Sequence, residues 1–104
     1  MKSRLAKGIE CLSSGAKTSS GAVVTEDCYF HGIVATTDGS HDVTVTPYNS
    51  DTNTAGTEIL PTGFKIPATN NYGGLFVPHP VRCKNGIYVL LSGSGGSFCV
   101  YYSN

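Results

Sequence analysis

The sequence predicts an all-β fold, a small antiparallel sandwich or partly closed barrel of seven to eight short strands. Three observations carry that prediction. No window sustains the 3.6-residue apolar spacing of an amphipathic helix. Short runs of alternating apolar and polar residues recur along the chain, with turn signals between them. Glycine and proline are plentiful, thirteen and five in 104 residues, and Thr and Val fill many of the remaining positions. A chain of this length fits one domain with one core.

Taken in order, residues 1–7 are expected to be a flexible arm, because nothing apolar anchors them. Residues 8–104 then form a single all-β domain. Gly8–Leu12 reads as a first short strand and Ser13–Gly21, SSGAKTSSG, as a polar loop. Ala22–Thr25 is a short extended piece, and Cys28–Thr36, CYFHGIVAT, is a strong strand. Asp38-Gly39 follows it and suggests a hairpin, since glycine supplies the positive φ of a tight turn. Asp42–Tyr48 alternates cleanly up to Pro47, whose missing N–H marks a strand end or an edge. Thr57–Leu60 and Gly63–Ile66 are short strands broken by Pro61. Ala68–Gly74, ATNNYGG, reads as a loop, and Leu75–Cys83 contains Pro78 and Pro80 and should be an edge or an irregular segment. Lys84-Asn85-Gly86 is a turn, and Gly86–Asn104, GIYVLLSGSGGSFCVYYSN, reads as two strands joined by a glycine loop.

Composition narrows the function. Seven basic and seven acidic residues leave a formal net charge of zero. That argues against nucleic acid as a partner, because phosphate affinity comes from clustered Lys and Arg. The cluster Lys2, Arg4, Lys7 is a solvated terminus on this reading. No run is apolar enough for a signal peptide or a membrane span, so no membrane and no secretion are expected. The four cysteines, Cys11, Cys28, Cys83 and Cys99, form no C-x-x-C pair and read as buried, reduced thiols.

Candidate chemistry is thin. Gly93-Ser94-Gly95-Gly96-Ser97 looks like a phosphate cradle, but a strand follows it where a cradle needs a helix N-terminus. His31, His41 and His79 could join cysteines at a metal, yet no pair has ligand spacing. His41-Asp42 suggests a base and an orienting carboxylate, but neighbours on a strand point apart. No nucleophile elbow and no paired carboxylates occur. No catalytic residue, cofactor or metal is therefore expected, and no enzymatic activity.

The apolar strands carry more. Cys28–Thr36 and the C-terminal pair have apolar residues on both faces, whereas a small antiparallel sheet ordinarily keeps one face wet. One face must meet the domain's own second sheet. The other, with Tyr29, Ile33, Tyr88, Leu90, Cys99 and Tyr101, is covered either by the chain's own loops, such as Asn70–Phe76 or the N-terminal arm, or by another copy of the chain, and the second is the expectation. Burying about 300 Å² there at roughly 25 cal/mol per Å² is worth several kcal/mol before association costs.

Three stretches, SSGAKTSSGAVV, GIVATTDGSHDVTVTPYNSDTNTAGTEI and NGIYVLLSGSGGSFCVYY, carry a resemblance across most of residues 8–102. A small-residue N-terminal stretch, a strand running into V-T-V-x-x-Y, a polar loop, and a terminal G-[IL]-Y-V strand with a glycine turn are similar to small virion-associated proteins of tailed bacteriophages. The resemblance implies a compact β-sandwich or barrel that self-associates and docks on other virion proteins of a capsid, neck or tail, made in the host cytoplasm. It implies no catalytic residues. The chain departs from the pattern in its cysteines and in PHPVRC, Pro78–Cys83. The alternatives are a ring-forming Sm-like or oligonucleotide-binding-type small barrel that holds nucleic acid, and a carbohydrate-binding module that grips sugar rings with tyrosines.

Overall fold

Alternation decides which side chains enter the core, and the pairing of strands decides where they meet. The computed structural model describes residues 11–104. The expected arm, residues 1–7, and residues 8–10 of the expected first strand lie outside the described residues. Eight strands follow in order: β1 (Leu12–Ser13), β2 (Gly21–Val24), β3 (Cys28–Thr36), β4 (Val43–Tyr48), β5 (Lys65–Ile66), β6 (Tyr72–Cys83), β7 (Ile87–Ser92) and β8 (Ser97–Ser103). A 3-10 turn at Ala68–Asn70 precedes β6.

The strands make two four-stranded antiparallel sheets. The first runs β1-β8-β3-β6 and the second β2-β7-β4-β5. Of the two expected forms, the sandwich is the one observed, since the sheets do not join into a barrel. The pairs β1–β8, β2–β7, β3–β6 and β4–β5 describe one long antiparallel ribbon folded at residues 49–64. The further pairs β3–β8 and β4–β7 roll that ribbon up on itself. This is a jelly roll, the double Greek key by which an all-β chain pairs most of its strand edges.

The roll corrects two expected hairpins. β3 and β4 lie in different sheets, so Asp38-Gly39 turns the chain from one sheet to the other. β7 and β8 are likewise in opposite sheets, and Gly93–Gly96 is the crossing between them. Gly96 sits against Val43, where an added Cβ would come within 2.6 Å of the Val43 side chain. The loop's glycines therefore allow a close crossing.

The polar stretch SSGAKTSSG is more ordered than the loop expected of it. Ser14 and Lys17 N–H groups donate to the carbonyls of Val100 and Phe98 at 2.9 and 2.8 Å, and the Ser14 hydroxyl accepts from the Val100 N–H. Three residues on, the Ser20 hydroxyl accepts from the Leu91 N–H at 2.8 Å and donates to the Leu91 carbonyl. Serine side chains thus stand in for backbone groups where the stretch passes from the edge of β8 to the edge of β7.

Strand β3 holds the first sheet together and is not regular. Phe30 pairs with Tyr102 and Gly32 with Tyr101, so His31 is one residue too many on that side. Against β6 the mismatch is larger: Phe30 faces Val81 and Gly32 faces Phe76, leaving Val77–Pro80 outside the ladder. Pro78 and Pro80, which have no N–H to donate, fall in that excursion on an edge strand, as expected of PHPVRC. A bulge shifts the in–out phase by one. Phe30 points inward before it, and Ile33 and Ala35 point inward after it.

Ile33 is therefore a core residue with 0 % of its surface exposed, which corrects its expected place on an interface. It lies among Cys28, Phe30, Phe98 and Val100 of the first sheet, facing Val43, Val45, Ile66, Ile87 and Val89 of the second. Each such Val, Ile or Phe contributes about 1.5–3 kcal/mol on burial. Leu60, from the stretch broken by Pro61, joins the same cluster. Ile33→Ala should lower the unfolding free energy by about 2–5 kcal/mol in denaturant titration. Val34→Ala, one residue along on the outer face, should cost about 1 kcal/mol or less. Equal effects at the two positions would overturn the bulge.

Candidate interaction surface

The outer face of the first sheet is built from what alternation leaves outside. β3 contributes Tyr29 and Val34, β8 contributes Cys99 and Tyr101, and β6 contributes Tyr72 and Phe76. Phe76 and Tyr101 stand in one row with Gly32 between them, and their ring centroids are 5.5 Å apart at an interplanar angle of 38°. The arrangement requires Gly32, because any Cβ there would run into the Phe76 ring. Phe76 thus lies flat across the central strand instead of standing up from the edge.

Much of this surface is open. Tyr72 is 70 % exposed and Phe76 59 %, while Leu75, 40 % exposed on the same edge strand, pairs with the core residue Ile33 and so points to the inner side. No Asp, Glu, Lys or Arg occupies the rows from Gly32 to Thr36 or their partners on β8 and β6. Charge appears only at one end, where Arg82 donates to both carboxylate oxygens of Asp27, at 3.2 Å from Nε and 2.7 Å from Nη2. That hydrogen bond holds the Asp27 carboxyl below its ordinary range. Beside it, His31 Nε2 is 2.8 Å from the Ser103 hydroxyl.

The second sheet's outer face is different. Tyr88 and Leu90 are half-buried there. Tyr88 meets Tyr48 edge-on, with centroids 6.1 Å apart, and Tyr48 is itself buried. The 57–59 stretch runs along β4: Asn49 N–H donates to the Thr57 carbonyl, and Ile59 N–H to that of Pro47.

The six residues expected to share an interface therefore do not share a surface. Tyr29, Cys99 and Tyr101 face outward from the first sheet, Tyr88 and Leu90 face outward from the second, and Ile33 lies between them. Because β7 and β8 are not a hairpin, their outward residues emerge on opposite sides of the sandwich. Sequence reasoning missed Tyr72, Leu75 and Phe76, which were read as loop and irregular edge.

Elsewhere the polar groups are used in turns. Asp38 Oδ1 accepts from the N–H groups of Ser40 and His41 at 2.8 and 2.9 Å, and Oδ2 lies 2.9 Å from His41 Nδ1. The His41 hydrogen bond, helped by the Ser40 N–H, lowers the Asp38 carboxyl to about 2. This is the partner that His41 takes in place of Asp42, whose carboxylate accepts from the Ala68 N–H at 2.9 Å. Among the described residues, the side chain that hydrogen-bonds His41 is that of Asp38. Gly95 lies against the Asp38 side chain, which places a carboxylate where a phosphate cradle would need a donor.

A shallow groove of about 320 Å³ is lined by Asn49, Gly56, Thr57, Glu58, Ile59 and Val81. Its one acid, Glu58, accepts from the Gly56 N–H of its own loop. Among the described residues, no three His, Cys, Asp or Glu side chains gather as a metal site. All four cysteines are free, but only Cys28 and Cys83 are buried; Cys99 is half-exposed and Cys11 exposed, which corrects the expectation of four buried thiols. No helix among the described residues is long and apolar enough to cross a membrane. Comparison with family models, curated proteins and solved structures finds no significant match.

The Asp38 turn has a pH signature. A folded-state value of about 2 against an ordinary 3.8 means the carboxylate favours the folded state above the ordinary value, and this is lost as pH falls toward 2. The Tm gap between the native chain and Asp38→Asn should be full at about pH 5 and narrow progressively from about pH 4 downward. A gap that is constant across this range would contradict the bonding described.

Proposed function

We propose that the chain is a non-catalytic structural protein of a virus-type particle, a capsid, neck or tail component, that assembles with copies of itself through the outer face of its first sheet. The observation that carries this reading is the strip formed by exposed Tyr72 and Phe76 beside half-buried Tyr101, on strand rows without a charged side chain. At 150–250 Å² per large aromatic side chain, Tyr29, Tyr72 and Phe76 together leave about 300 Å² open. That is under half of the roughly 800 Å² per partner of an ordinary stable interface, and Val34, Cys99 and Tyr101 adjoin it.

A second copy is the occupant that the chemistry favours. The strip has no charge for an oppositely charged partner to match, and two identical neutral faces meet without repulsion. The jelly roll supports the particle reading, since capsid domains use this architecture, and so does the resemblance to phage virion proteins. Other virion proteins would dock on the surfaces that remain. The barrel alternative has less to stand on. The two sheets do not close, and Lys65 and Arg82, two of its few cationic residues, are paired with Asp42 and Asp27.

Light scattering on size-exclusion eluate at micromolar concentration should give a mass above that of the monomer. Phe76→Asp and Tyr101→Asp should each shift the protein toward monomer with its β-type circular dichroism intact. Tyr88→Asp, on the opposite sheet, should leave it assembled. A native chain that runs as a clean monomer would sink the reading, and dissociation by Tyr88→Asp alone would move the interface to the second sheet.

A further inference from the structure

Cys28 and Cys83 stand directly opposite one another in the β3–β6 ladder. Both are buried in the core between the sheets, with 1 % and 0 % of their surfaces exposed. Opposed residues of an antiparallel ladder have Cα atoms about 4.5–5.5 Å apart, inside the roughly 4.4–6.8 Å that a disulfide spans. Two cysteines in one row and on one face can be joined with little movement of the backbone. Here both are thiols. We propose that Cys28 and Cys83 are a latent cross-strand dithiol that closes to a disulfide when the protein passes from reducing to oxidising surroundings, with a small-molecule disulfide such as oxidised glutathione as the oxidant.

The pair sits in a short paired segment at the end of an edge strand. β6 is an edge strand, and Val77–Pro80 leave its ladder. Beyond that break, only Val81, Arg82 and Cys83 pair with β3 before the chain turns away to β7. The Arg82–Asp27 ion pair beside them is half-exposed on both sides, a setting in which ion pairs hold little. A covalent link would fasten this segment and close a loop running from β3 through β6, which restricts the unfolded chain.

The chemistry balances as two successive exchanges. The thiolate of one cysteine attacks a sulfur of the external disulfide, whose S–S bond breaks and releases one thiolate. The second cysteine, as thiolate, then attacks the protein sulfur of the mixed disulfide and expels the other half. The protein gives up two electrons and two protons, and the external disulfide becomes two thiols. Burial pushes the Cys83 thiol up to about 12 and raises that of Cys28, so thiolate is scarce while the sandwich is closed. Exchange then proceeds through openings of the β6 end, and the same burial shields the finished bond from reductant. Neither other cysteine competes for this link. Cys99 pairs with Val34 and faces outward, and Cys11 is exposed at the start of β1.

The test uses the chain with Cys11→Ser and Cys99→Ser, which leaves only the proposed pair. After incubation with oxidised glutathione, thiols are counted in denaturant and peptides are mapped without reduction. Both thiols should be lost, a peptide linking residues 28 and 83 of one chain should appear, and Tm should exceed that of the reduced protein. Two persisting thiols, separate glutathione adducts on each cysteine, or a link between two chains would overturn the proposal. Should the double variant fail to fold, the same peptide map on the native chain decides: a 28–83 link supports the dithiol, and its absence after full oxidation refutes it.

Discussion

The one-residue bulge at His31 is the constraint on which the rest of the first sheet depends. β3 is hydrogen-bonded on both sides, to β8 and to β6, so its phase is imposed on both neighbours. Without the bulge, a strict two-residue alternation from Phe30 would send Ile33 and Ala35 to the outside and Val34 to the inside. With it, Phe30, Ile33 and Ala35 all reach the core, and Phe98 and Val100 of the straight strand β8 stay in step with them. The same shift places Gly32 on the outer side, beneath Phe76. One local irregularity thus completes the core and shapes the exposed surface.

The rolled ribbon explains why long stretches of irregular chain are tolerated. Each strand has its ribbon partner, and β3, β4, β7 and β8 have a second neighbour from the roll. The ribbon's fold at residues 49–64 carries Gly56, Pro61 and Gly63, which break strands, yet it closes the roll by running back along β4. The edges left over are managed locally. Serine hydroxyls complete the ladders where Ser13–Gly21 crosses between sheets. Prolines interrupt the free edge of β6, which discourages open-ended strand addition there. An edge blunted in this way leaves the face of the sheet, more than its rim, as the surface available to a partner.

The existence and type of the elements were legible in the sequence, and their partners were not. Alternation and turn residues located the strong strands at Cys28–Thr36, at Asp42–Tyr48 and, as a pair, within Gly86–Asn104, because those signals are local. Asp-Gly and the glycine loop were read as hairpin turns on the same local grounds. Whether a turn returns a strand to its own sheet or carries it to the facing one depends on packing far away in sequence. The mistaken hairpin then placed Tyr88 and Leu90 beside Tyr101. The bulge did leave a signal, since a glycine within a strand pattern often marks one, and Gly32 follows His31 immediately. The strip on β6 was hidden for another reason. ATNNYGG reads as a loop by composition; its first residues do form a 3-10 turn, and only pairing with the long β3 makes Tyr72–Gly74 a strand.

The outer face of the first sheet also says what kind of contact it suits. A face meant for water would carry Thr, Lys or Glu on its outward rows, as Thr44 and Lys65 do on the other sheet. Here Thr36 and Ser97 share the outward row of Tyr72, with their hydroxyls 2.8 Å apart, while the next two rows hold Gly32 and Gly74 among Phe76, Tyr101, Val34 and Cys99. Glycine in mid-strand weakens a sheet by itself, because it orders more backbone and packs no side chain. At Gly32 that cost has a visible return: the Phe76 ring lies down against Tyr101. The placement of that ring is set by the backbone beneath it, because any side chain at residue 32 would meet both the Phe76 ring and the Leu75 carbonyl. One glycine therefore fixes the shape of the face at its centre, as the bulge beside it fixes which residues reach that face.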